Sequence, residues 1–150
     1  MLSPHLTGWK AQYDRMKRAY ARLLEPHRSS IDYDDDLQHF FQDCWHLKDW
    51  IKNDESLTLN GNIEDIVKGY KPLEIAADLA NASKHLVRKQ RDRTGARVTS
   101  KSVTVYLGQS RGADTVHVVT LADDSTHRAT DVARDACDAW DTILRQQGLL

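Results

Sequence analysis

The chain has 150 residues, 40% hydrophobic and 29% charged, with 21 basic and 22 acidic side chains and a formal net charge of −1. That length suits one domain with a sizeable core. Such balanced charge excludes a global attraction to nucleic acid or anionic lipid, and no apolar run is long enough for a membrane span.

Met1-Leu2-Ser3-Pro4-His5 lacks the basic-then-apolar layout of a signal peptide. Cys44 and Cys137, the only two cysteines, fall on apolar helix faces. They read as buried, reduced thiols of a cytoplasmic protein rather than as a disulfide framework. The four tryptophans read as large core anchors.

Ser3-Pro4 can cap and open a first helix, in which Trp9, Tyr13, Met16, Tyr20 and Leu23 recur at spacings of four and three. Pro26 and Arg28-Ser29-Ser30 stop it. Asp34-Asp35-Asp36 then places negative charge where a second helix is expected to begin, near the positive end of its dipole. This helix should run to about Lys52. Leu37, Phe40, Phe41, Cys44, Lys48 and Ile51 share one face of it, so a lysine lies within an apolar stripe.

Asn60-Gly61 signals a turn before a short helix at Ile63–Lys68. Pro72 fits the first position of a long helix reaching about Lys89. Ala76, Ala77 and Ala80 on one side of it, with Ile75, Leu79 and Leu86 on another, mark it as the central helix of a bundle.

After Arg93-Thr94-Gly95 the period changes to two. Val98–Leu107 and Asp114–Leu121 predict an antiparallel hairpin joined by a loop of about six residues, Gly108–Ala113. A tight turn at Asp123-Asp124-Ser125 leads to a short third strand over Thr126–Ala129. Thr130 is the expected cap of a final helix carrying Val132, Ala136, Trp140 and Ile143 on one face, with Gly148 just past its end. The predicted fold is mainly α: a single domain over 1–150, with about four long helices and a hairpin or three-stranded meander at about 97–129.

Two helix faces carry candidate site residues. His46 and Asp49 are i, i+3 neighbours, and a carboxylate beside an imidazole fixes its tautomer and raises its basicity. Asp78, Asn81 and His85 line one face of the central helix, extended by Glu74 and Arg88. If these faces meet, His46, Asp49, Asp78, Asn81 and His85 form one polar cluster, either a structural network or a site. The spacing matches neither His-Glu-x-x-His nor a repeated Glu-x-x-His, so no metal or cofactor is assigned. Lys48 and Lys84 are expected to run their stems along the core with the ammonium in water. For Lys48, Asp78 or Glu74 would also serve as a paired acid.

Arg22-Leu23-Leu24-Glu25-Pro26-His27 has the spacing Arg-x4-His, which resembles the ribonuclease motif of HEPN domains. The resemblance implies a helical bundle that brings Arg22 and His27 together across a dimer interface for metal-independent attack on RNA. Pro26, and the hairpin, depart from that pattern. Phe40-Phe41-x-x-Cys44-Trp45-His46-Leu47-Lys48-Asp49-Trp50, followed by Asn81-x-x-Lys84-His85, resembles a set of small uncharacterised bacterial and phage-associated proteins. That likeness implies no activity.

Two functions follow as expectations. The first is a non-catalytic binding or regulatory module, a homodimer with a protein partner. The second is a HEPN-like ribonuclease of a toxin or antiphage system acting on RNA through His46, Asp49, Asn81, Lys84 and His85, with Arg22 and His27 as alternatives. The two differ in what surrounds the cluster. A binding module has a near-neutral surface around the cluster and no basic cleft, whereas a ribonuclease has a concave, positive groove across a dimer axis with the histidines exposed in it.

Overall fold

The computed structural model describes residues 7–26, 29–82, 94–107 and 110–150. It is mainly helical. The elements run α1 (Gly8–Leu23), α2 (Ser30–Lys52), α3 (Ile63–Lys68), α4 (Lys71–Ala82), β1 (Arg97–Leu107), β2 (Ser110–Thr120), β3 (Thr126–Arg128) and α5 (Ala129–Gln146). The strands form an antiparallel sheet of order β1-β2-β3. None of the described helices is long and apolar enough to cross a membrane.

The amphipathic stripes meet as expected. Met16 and Ala19 of α1, Phe40, Phe41, Cys44 and Leu47 of α2, Leu73 of α4 and Trp140 and Ile143 of α5 are all essentially inaccessible. Residues 75–80 of α4 are buried on every side, and Ala76, Ala77 and Ala80 let its neighbours approach closely. Trp140 is the largest buried side chain, and its indole Nε1–H donates to the Cys44 carbonyl at 3.0 Å. Trp45 is also buried, while Trp9 and Trp50 are only half-buried.

Several boundaries differ from expectation. The first helix is described from Gly8, and Ser3-Pro4 lies outside the described residues. The second helix begins at Ser30, not at the aspartate run: the Ser29 hydroxyl caps it by accepting from the Asp32 N–H at 3.1 Å. The aspartates therefore fall inside the helix. Asp36 accepts from Arg22 of α1 at 3.4 Å, and Asp34 meets His117 of β2.

The fourth helix is described to Ala82, so the expected extension toward Lys89 lies outside the described residues. The hairpin connection is shorter than expected. Leu107 pairs with Ser110, and the second strand absorbs residues 110–113 that read as loop. Cross-strand pairing overrides the polar, glycine-containing sequence of that segment. The third strand is present over Thr126–Arg128, and Ala129 opens α5 instead of ending the strand. Thr130 does not cap α5; Arg128 takes that position, with no side-chain hydrogen bond.

The sheet is anchored at one end, where Ala96, Val119 and Leu121 join the core. Gly95 has φ +66°, and a Cβ there would lie 2.8 Å from that of Ala122, so only glycine fits this crossing.

Both cysteines are free and buried. Burial pushes the Cys44 thiol well above its ordinary value and that of Cys137 up to about 12. Thiolates are the reactive species. Native protein at pH 8 is therefore expected to resist iodoacetamide, with both thiols alkylated only in denaturant. Mass spectrometry showing rapid native labelling would contradict this packing.

Candidate functional site

Asp43, His46, Trp50 and Asn53 succeed one another at i, i+3, i+7 and i+10 and so share one face of α2. The partner is α1. Gln12, buried to 2% exposure, donates its Nε2–H to the Asp43 carbonyl at 3.0 Å and accepts from Arg15. The Arg15 guanidinium in turn lies 5.9 Å from the Trp50 ring centroid, a cation–π arrangement. A polar seam thus runs along the α1–α2 contact.

Asp43 is the perturbed group of the seam. Burial raises its carboxyl above the ordinary value, opposed by the Gln12 hydrogen bond and by the nearby Arg15, His39 and His46. A carboxyl whose folded pKa is raised stabilises the fold most below its unfolded value of 3.8, and that contribution is lost as pH rises through the folded value. Asp43→Asn is therefore expected to raise the urea midpoint at pH 7 relative to wild type, the gain vanishing toward pH 3. A variant equally destabilised at both pH values would show that Asp43 matters through hydrogen bonding alone.

At its α2 end the seam opens into a broad groove of about 660 Å³ lined by Gly8, Asp49, Trp50, Asn53, Asp54 and Glu55. Asp49 projects from this rim and accepts from Lys48 Nζ at 2.7 Å. Lys48 does not take the snorkelling position. It is 7% exposed, its ammonium held by Asp49, by Glu64 at 3.3 Å and over the Trp45 ring at 4.6 Å from the centroid. Its acids come from α2 itself and α3, neither being Asp78 nor Glu74.

On α4, Asp78 is 3% exposed and accepts from the Thr94 N–H at 2.6 Å and from the Thr94 hydroxyl. Asp49 and Asp78 therefore take different partners on different elements. Asn81 is half-buried near the end of α4. Arg22 is partnered with Asp36, an α1–α2 bridge. Lys84, His85, Arg88 and His27 lie outside the described residues. Among the described residues, no group of three or more His, Cys, Asp or Glu side chains is placed to hold a metal ion.

A further pair was not anticipated. His117 of β2, 3% exposed, is hydrogen-bonded through Nε2 to the Asp34 carboxylate and lies against the Tyr33 ring at 4.5 Å between centroids. Its Nδ1 is buried without a hydrogen-bond partner among the described residues. Asp43, three residues before His46, was visible in the sequence as an extension of that pair. Gln12, Arg15 and the Asp34–His117 contact carried no local signal, because each depends on which helix or strand lands beside α2.

Comparison of the chain with protein-family models, curated proteins and solved structures finds no match.

Proposed function

We propose that the protein is a non-catalytic binding module whose α1–α2 groove takes a cationic group of a partner protein. One observation carries this reading. The groove is lined by three carboxylates, Asp49 (already paired with Lys48), Asp54 and Glu55, beside Trp50, with no basic side chain among its described lining residues. Such a surface repels phosphates and favours an ammonium or guanidinium, which the aromatic face also attracts. Arg15 beside the same ring illustrates that preference within the chain.

A homodimer belongs to this reading. It is supported by β1, an edge strand of 11 residues paired on only one side within the described sheet, which is a template for a second copy. A cytoplasmic setting is supported by two free, buried thiols. Sedimentation velocity is expected to give a dimer, and a monomeric mass at every concentration would remove that part of the proposal.

The groove is tested by titrating a penta-arginine peptide while following tryptophan fluorescence, with penta-glutamate as control. Binding that weakens with salt, and falls about tenfold (about 1.4 kcal/mol) in the Asp49→Asn, Glu55→Gln double variant, is the expected result. Equal binding by both peptides, or by the double variant, would defeat it. Cleavage of single-stranded RNA that disappears in Arg22→Ala would replace this reading with the HEPN-like ribonuclease.

A further inference from the structure

A second cavity, of about 160 Å³, opens where α4 and α5 begin beside β3. Its floor is apolar: Ile75 of α4, Leu121 just after β2 and Val132 of α5, all buried. Its rim is polar: Lys71, His127 and Asp135. An apolar cavity of about 150 Å³ accommodates a benzene-sized body, so this floor suits about six carbons rather than a large cofactor.

The charges at the rim are unevenly committed. Asp135 already accepts from Arg134 at 3.0 and 3.2 Å, and the same guanidinium reaches Asp131 at 3.3 Å. Asp124 is paired with Arg97 at 3.6 Å, and Asp123 accepts from the Ser125 N–H at 3.0 Å. By contrast, neither the Lys71 nor the His127 side chain makes a hydrogen bond or ion pair with another described residue, although the Lys71 charge reaches Asp123. The cavity therefore presents, above an apolar floor, two nitrogen groups whose side chains have no hydrogen-bond or ion-pair partner among the described residues.

We propose that this cleft binds a small organic carboxylate, with a branched or aromatic body of about six carbons on Ile75, Leu121 and Val132 and its charge between Lys71 and His127. The site is separate in residues and in charge preference from the acidic α1–α2 groove, and stands or falls independently of it.

The test is an NMR titration of the full chain with 4-methylpentanoate, following the His127 ring and the Val132 methyl groups. Two probes divide the ligand: 4-methylpentan-1-ol keeps the body without the charge, and acetate keeps the charge without the body. Saturable shifts with a Kd of about 1 mM for the carboxylate, and at least about tenfold weaker binding of both probes, are expected. Lys71 is exposed, so Lys71→Gln leaves the core intact; it is expected to weaken the carboxylate about tenfold and leave the alcohol unchanged. Val132→Phe, which fills the floor, is expected to abolish binding of carboxylate and alcohol alike. No saturable shift, equal binding of carboxylate and alcohol, or unchanged binding by Lys71→Gln would each overturn the proposal.

Discussion

Trp140→Ala is expected to lower the stability of the fold by about 3–5 kcal/mol, the largest effect of any single truncation of this core. Trp140 is wholly inaccessible and sits where α5 meets α2, its indole N–H anchored on the Cys44 carbonyl at 3.0 Å. Truncation removes the apolar contacts of the ring and leaves a void that the bundle fills only in part, because α2 and α4 are themselves fixed by Phe40, Phe41 and Leu73. Trp140→Phe separates the contributions. It keeps much of the volume and loses the hydrogen bond, so a cost of about 1–3 kcal/mol is expected. Urea denaturation followed by circular dichroism measures both. A loss below about 1 kcal/mol for Trp140→Ala would mean that α5 does not pack on α2 as described.

Asp78→Ala is expected to cost about 2–4 kcal/mol for a different reason. Asp78 is a buried carboxylate that receives both the backbone N–H and the hydroxyl of Thr94, tying α4 to the segment that enters β1. Hydrogen bonds to a charged acceptor are stronger than neutral ones, and removing the acceptor leaves the Thr94 N–H without it. Thr94→Val keeps the N–H and deletes only the hydroxyl, so about 1–2 kcal/mol is expected. A double-mutant cycle should give a coupling of about 1 kcal/mol or more, since removing Asp78 already forfeits the hydroxyl bond. Strictly additive losses would show that the two side chains do not act together. Asp78 is thus architecture, the kind of polar group that fixes how a sheet sits on a helix.

How much of this was legible in the sequence depends on the range of the interaction. The Ile63–Lys68 helix was readable at its observed bounds, because Asn62 accepts from the Glu64 N–H at 2.9 Å and Gly69 follows the last turn, both local signals. So was the end of α5, where Gly148 takes φ +71°. Local signals also misled. The Asp34–Asp36 run looked like a helix start by dipole logic, yet Ser29 made the better cap and the aspartates went to Arg22 and His117. Gly108–Ala113 looked like loop by composition, yet most of it pairs in register with β1.

The candidate site divides the same way. That Lys48 lay in an apolar stripe was plain from helical spacing; that Asp49 and Glu64 would hold its ammonium was not, because Glu64 arrives from α3 through a tertiary contact. His46 and Asp49 were visible as a pair, while the seam they border needed Gln12 and Arg15 of α1 to be set against α2. By itself the sequence determined the helical bundle, the hairpin before the last helix and the apolar faces, because periodicity and caps act within a few residues. Only the tertiary structure decided which charges are neutralised, as Asp49 is by Lys48, and which line the two clefts: Asp54 and Glu55 beside Trp50, and Lys71 with His127 above their apolar floor. Whether a charge is satisfied depends on groups brought together from elements far apart in the chain, and one-dimensional spacing does not encode that placement.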